Sequence, residues 1–224
     1  SSLSKRPMER ISLPLRMMGA NINLSKNNTA PISISPVKKI SGIKYKMPID
    51  SAQIKSSIIL ASLYSSEKTN IIENIKSRDH TENMINYLGG SITTINNKIT
   101  VNPEKKLVSN DIEIPGDISS AMFIIVGCLI SRKSKVTIKN VGLNELRTGG
   151  IEILKLMGAN IQIDNIRKYG PEKIGDIIVY SSELKGINIP EKYIASAIDE
   201  FPILFIAAAN ASGKTILKNA MELR

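Results

Sequence analysis

Three arginines of this chain recur at nearly equal intervals. Arg6, Arg78 and Arg147 lie 72 and 69 residues apart, and Arg224 follows 77 residues later. Each of the first three stands just before a predicted helix. Arg6 precedes Pro7, which suits a first turn. Arg78 precedes Asp79-His80-Thr81-Glu82, which reads as an Asp cap with an acidic residue three positions on. Arg147 precedes Thr148, another capping type. A helix N-terminus offers free N–H groups and a partial positive charge, and a guanidinium beside it adds a fork that matches phosphate or carboxylate. The recurrence therefore points to small anionic ligands. The competing reading of each arginine is a pair with a carboxylate of the protein itself.

Two further groups could do chemistry. Ser51 and Gln53 open an otherwise apolar stretch. Ser51 reads equally as a helix cap, whereas Gln53 on the first turn has no such ready explanation. Asp199 and Glu200 precede the apolar run that starts at Phe201, and Asp199 is either a cap or a general base facing an anion site. The single cysteine, Cys128, lies in the apolar run 122–130 and reads as a buried small residue. With one cysteine and one histidine, His80, there is no cluster with metal-ligand spacing.

The elements that must position these residues repeat. Glycines Gly19, Gly89 and Gly158 are 70 and 69 residues apart, and each ends a predicted helix and precedes a strand with alternating Ile. Out of phase with them run three apolar, small-residue-rich segments of helical length, 51–64, 117–130 and 197–211, read as helices buried on most sides. Each leads into a β-branched strand, at 70–75, 135–141 and 215–220. The middle copy reads as a strand near Ile112, a helix from Asp117, a strand from Lys135, a helix from Thr148, and strands at 159–164 and 176–181. The fold class is α/β, repeated βαβαββ units with buried helices and outer sheets. A break near 110–115 divides the repeats into two domains, 1–112 and 113–224.

Composition bounds the partners. The chain has 224 residues, 42% of them apolar and 4% aromatic, with a net charge of +10. The lysines are scattered, and no aromatic residues are interleaved to stack bases, so the charge speaks for anionic small molecules and against nucleic acid. No apolar run reaches the ~20 residues of a membrane span, and 1–7 lacks the apolar core of a signal peptide. A cytoplasmic protein with no membrane partner is expected.

Taken in order, several stretches resemble the motifs of 5-enolpyruvylshikimate-3-phosphate synthases. They are Ser2-Leu3-Ser4-Lys5-Arg6-Pro7-Met8, Met47-Pro48-Ile49-Asp50-Ser51-Ala52-Gln53-Ile54-Lys55-Ser56, Ser77-Arg78-Asp79-His80-Thr81-Glu82, Pro115-Gly116-Asp117-Ile118-Ser119-Ser120-Ala121, Arg147-Thr148-Gly149 and Ile198-Asp199-Glu200-Phe201-Pro202. Ser51-Ala52-Gln53 and Arg78-Asp79-His80-Thr81-Glu82 are most similar to the glyphosate-tolerant bacterial branch. The resemblance implies a monomeric enzyme of two domains, each of three βαβαββ units. It would move the enolpyruvyl group of phosphoenolpyruvate to the 5-hydroxyl of shikimate 3-phosphate and release phosphate, with no metal or organic cofactor. It also implies that Arg6 binds phosphoenolpyruvate, that Ser51, Ala52 and Gln53 line the shikimate 3-phosphate site, and that Arg78 with Ser77 beside it holds the phosphate. Asp199 would contact the reacting hydroxyl and accept its proton.

The family's motif after Arg224, Val-Lys-Glu-Ser-Asp-Arg, supplies a catalytic Lys and Glu. The chain therefore resembles the middle half of such an enzyme, the second part of its N-terminal domain and the first part of its C-terminal domain, and little activity is expected of it alone. Three rivals share features. The sister transferase acting on UDP-N-acetylglucosamine often uses a loop cysteine, and the position of Cys128 in a predicted buried helix argues against it. The RNA 3′-phosphate cyclase architecture and a catalytically inactive anion-binding module are the others.

Overall fold

The structure, a computed structural model, describes residues 2–103, 106–220 and 223. Its contacts divide the chain into two units, Ser1–Asn110 and Asp111–Arg224. Arg224 lies outside the described residues.

In the first unit, α1 (Glu9–Met17) leads through Gly19 to β1 (Asn21–Asn23), which pairs antiparallel with β2 (Ser33–Ser35). A complete βαβαββ unit follows: β3 (Lys44–Lys46), α2 (Ala52–Ser62), β4 (Thr69–Ile72), α3 (His80–Tyr87), β5 (Ser91–Ile95) and β6 (Lys98–Asn102). The sheet order is β3-β4-β6-β5, with β3 and β4 parallel and the other pairs antiparallel. The parallel pair needs a crossover, and α2 supplies it. Ile54, Ile58 and Ile59 of α2 pack with Ile71 and Ile99 of the sheet in one aliphatic core.

The second unit repeats the plan. It contains α4 (Ile118–Ile130), β7 (Lys135–Gly142), α5 (Gly149–Leu156), β8 (Asn160–Tyr169) and β9 (Glu172–Tyr180) in a sheet ordered β7-β9-β8. A 3-10 turn, Ala195–Glu200, then runs into α6 (Phe201–Ala209). Met122, Ile125 and Leu129 of α4 meet Ile177, Val179, Phe201 and Leu204 in the second core.

The mixed α/β class and the repeat emerge as the sequence predicts. Gly19, Gly89 and Gly158 have φ of +100°, +85° and +95°, the left-handed cap conformation that glycine adopts without a Cβ penalty. Three expectations are corrected. The strand near Ile112 is absent, and that edge is reduced to one parallel bridge between Gly116 and Val141, next to Pro115, which has no N–H to pair. The strand at 215–220 likewise shrinks to a bridge between Asn188 and Ile216. Finally, α4 and α6 are each buried on one side only, whereas α2 is buried on most sides and exposes only Gln53 and Leu60. Phe123 and Ile124 of α4 are 58% and 53% exposed, and Leu60 of α2 and Phe205 and Ile206 of α6 lie near half exposure. α4 and α6 each pack an inner stripe on their own unit's core, so uniform apolarity exceeds what one core can cover.

Candidate functional site

In the first unit five of the six predicted ligand residues fall on two segments, the start of α2 and the approach to α3. Ser51 takes the cap position of α2 with extended backbone (φ −131°, ψ 118°), but its side chain makes no capping bond. The capping explanation of Ser51 thus holds for the backbone and fails for the hydroxyl. Ala52 is the half-buried first residue of the helix, and Gln53 is exposed. The Gln53 Oε1 accepts a 3.0 Å bond from Arg10 Nη2. That bond sets the amide so that its NH2 group faces away from Arg10.

Ser77 and Arg78 are half-buried in the coil that joins β4 to α3. Asp50 carboxyl oxygens accept from the backbone amides of Asn74 (2.8 Å) and Ile75 (3.0 Å). Beneath the loop lies a buried ion cluster. Lys55 Nζ is 2.8 Å from Glu82 Oε1 and 3.3 Å from Glu73 Oε1, and the three side chains are 1%, 6% and 2% exposed. Lys55 also donates to the Ser77 carbonyl at 3.0 Å. Glu73 accepts from the Ser77 amide at 3.1 Å and from its hydroxyl. A 2.6 Å bond between the hydroxyls of Ser56 and Thr81, the neighbours of Lys55 and Glu82, also ties α2 to α3. The start of α2 and the Ser77-Arg78 loop are thereby held together. Burial pushes the Glu82 carboxyl above its ordinary value, against the hydrogen bond and charge of Lys55.

The capping box expected at α3 does not form. Asp79 occupies the cap position without a side-chain capping bond, and Glu82 turns to Lys55 instead of back to the cap. A buried cation outcompetes the backbone amide of the cap for that carboxylate. Arg6 stands in a bend three residues before α1 and is exposed. Sequence reasoning missed Arg10, four residues on and second in α1, and the Lys55 cluster. The signal for Lys55 was a charge on the same face as Ile58 and Ile59, three and four residues ahead.

In the second unit Arg147 pairs with its own protein, as expected of a structural arginine. Its Nη2 lies 3.0 Å from Asp117 Oδ1 and donates to Ser119 Oγ at 2.6 Å. Ser119 in turn donates to Glu200. Asp117 caps α4 through the Ser120 amide at 2.9 Å. Burial pushes the Asp117 carboxyl up, but the Ser120 bonds and the Arg147 charge outweigh it, and the group sits below the ordinary carboxylate range. Asp199 is exposed in the 3-10 turn ahead of α6, whose cap position belongs to Glu200. Asp199 is therefore not the cap of that helix. Cys128 is buried, with Sγ 3.5 Å from the Val179 carbonyl, and burial raises its thiol.

Repeated βαβαββ units with apolar crossover helices define the enolpyruvyl transferase fold. The enolpyruvyl transferase NikO from Streptomyces tendae superposes with a TM-score of 0.71 at 15% identity, over 95% of this chain and 51% of that one, a likeness of fold alone. The EPSP synthase of Acinetobacter baumannii superposes with a TM-score of 0.90 at 49% identity, over 100% of this chain and 51% of that one. The family described as EPSP synthase (3-phosphoshikimate 1-carboxyvinyltransferase) matches residues 1–224, and the chain belongs to that family. Curated relatives bearing that enzyme name include those of Hydrogenovibrio crunogenus (45% identical, covering 100% of this chain and 52% of that protein) and Legionella pneumophila (48%, covering 100% and 51%). The chain spans about half the length of the curated relatives it matches.

Proposed function

We propose that the chain forms part of an enzyme that transfers the enolpyruvyl group of phosphoenolpyruvate to the 5-hydroxyl of shikimate 3-phosphate. In this reading Arg78, with Ser77 beside it, holds the 3-phosphate, while Ser51, Ala52 and Gln53 line the sugar-like ring. Arg6 binds phosphoenolpyruvate. The hydroxyl oxygen of shikimate 3-phosphate attacks C2 of phosphoenolpyruvate as a proton adds to C3, giving a tetrahedral intermediate. Loss of a C3 proton with cleavage of the C2–O bond then expels phosphate. Asp199 accepts the proton of the attacking hydroxyl.

The observation that carries the reading is in the first unit. Two polar segments separated in sequence, 51–53 and 77–78, are tied to one another by Asp50, Lys55 and Glu73. The Ser51 hydroxyl, released from capping, and the oriented Gln53 amide are suited to a polyhydroxylated ring, and the guanidinium of Arg78, on the loop tied to that turn, suits its phosphate. The protein is read as a cytoplasmic biosynthetic enzyme, monomeric, with small anionic substrates and no metal, organic cofactor, nucleic acid or membrane partner. No helix among the described residues is long and apolar enough to cross a membrane.

Calorimetric titration of the chain with shikimate 3-phosphate, UDP-N-acetylglucosamine and a short RNA tests the substrate class. Saturable binding of the first alone is expected. Tight RNA binding that weakens steeply with salt, or preference for the UDP-sugar, overturns the reading.

A further inference from the structure

Lys55, Glu73 and Glu82 have no part in the chemistry above, yet all three are ions removed from water. We propose that they form a positioning unit that holds Ser77 and Arg78 in register with Ser51 and Gln53, without touching ligand. The inference rests on the reading of the first unit as a shikimate 3-phosphate site.

Three observations carry it. An ammonium has three N–H donors, and those of Lys55 are matched by Glu82 Oε1 at 2.8 Å, the Ser77 carbonyl at 3.0 Å and Glu73 at 3.3 Å. None remains for a phosphate. One cation faces two carboxylates, so the cluster adds no attraction for an anion. Its bonds converge instead on a single loop residue. The carbonyl of Ser77 is held by Lys55, and its amide and hydroxyl both donate to Glu73. The amide, carbonyl and hydroxyl of Ser77 thus each make a bond to the cluster. Ser77 acts as the anchor of the loop, and the next residue, Arg78, is the phosphate donor that the anchor sets in place.

Buried ion groups of this kind add little net stability over apolar replacements of similar size, and fixing one geometry is the best-attested reason to keep them. The bonds of the cluster to Ser77 come from Glu73 and Lys55, whereas Glu82 bonds to Lys55.

That asymmetry supplies the test. Affinities of the unsubstituted chain, Glu73→Gln and Glu82→Gln are measured by calorimetry for shikimate 3-phosphate and for shikimate, alongside thermal unfolding. Glu73→Gln points an NH2 group at Lys55 or at Ser77 and loosens the anchor. It is expected to weaken shikimate 3-phosphate binding by about tenfold, equivalent to ~1.4 kcal/mol, and shikimate binding by less than about twofold. Glu82→Gln is expected to change both by less than about threefold. Arg78→Ala should cost less in the Glu73→Gln background than in the unsubstituted chain, because coupled residues are not additive. The apolar triple variant Lys55→Met/Glu73→Met/Glu82→Met, which leaves no buried charge unpaired, is expected to fold and to show the same selective loss, and it serves where a single substitution unfolds the protein. Equal losses for the two ligands, strictly additive effects with Arg78→Ala, or full affinity in the triple variant overturn the positioning role while leaving the site intact. Absence of shikimate 3-phosphate binding by the unsubstituted chain overturns the reading of the site, and the positioning role with it.

Discussion

Replacing Lys55 with Met leaves two carboxylates facing each other in a region where their side chains are 2% and 6% exposed. Met fills the space of the lysine stem, so little packing is lost, and the effect is electrostatic. Breaking a buried ion group by removing one partner costs about 3–5 kcal/mol. The expected loss is in that range at neutral pH and confined to the first unit. Amide hydrogen exchange reads it unit by unit: protection across α2 should fall by that amount, while α4 stays unchanged. The loss should also shrink in acid. Without the bond and charge of Lys55, the Glu82 carboxyl, already raised by burial, rises further. A carboxyl with a raised folded pKa binds its proton more tightly in the folded protein. The deficit is therefore full above the folded pKa and fades as pH falls toward the unfolded one. A loss under about 1 kcal/mol, a loss shared equally by α4, or one that grows from neutral pH toward pH 5 would refute the account of the cluster.

Two further outcomes follow from the second unit. Asp117→Ala removes a cap and the partner of Arg147, with an expected loss of about 1 kcal/mol by urea denaturation. Because the Asp117 carboxyl is held low, its contribution is present above the ordinary carboxylate range and lost as pH falls through its folded pKa, so the two proteins should converge in acid. Ile125→Ala, at 0% exposure in α4, should cost about 2–5 kcal/mol. Phe123→Ser on the exposed face of the same helix, two residues away, should stay within about 0.5 kcal/mol, which thermal unfolding of the pair will show.

The repeat was legible because its markers are local. Gly19, Gly89 and Gly158 each announce a left-handed cap, and the apolar runs around Ile58, Ile125 and Leu204 announce crossover helices whatever packs on them. The candidate site was proposed from motif order and from the recurring arginines, of which Arg147 pairs with Asp117 of the protein itself. What escaped were tertiary choices. Glu82 reads locally as part of a capping box, but Lys55, 27 positions away in sequence, takes its carboxylate. Ser51 reads as a cap, and only the backbone keeps that role. The stretch near Ile112 has a strand's residue types, yet pairing at that edge is confined to Gly116. Nor could apolarity alone reveal that Phe123 and Phe205 face solvent while Met122 and Leu204 do not, since these helices are apolar all round.

The central claim is that the first unit holds shikimate 3-phosphate through Arg78 and the Ser51–Gln53 turn. Calorimetric titration of the chain and of Arg78→Ala with shikimate 3-phosphate, with shikimate as the phosphate-free control, tests it most directly. The account predicts saturable binding that Arg78→Ala weakens by roughly 10- to 100-fold, the ~1.5–3 kcal/mol of a hydrogen bond to a charged group, with shikimate binding little changed. Binding of shikimate 3-phosphate that is indifferent to Arg78, or no binding at all, would contradict it.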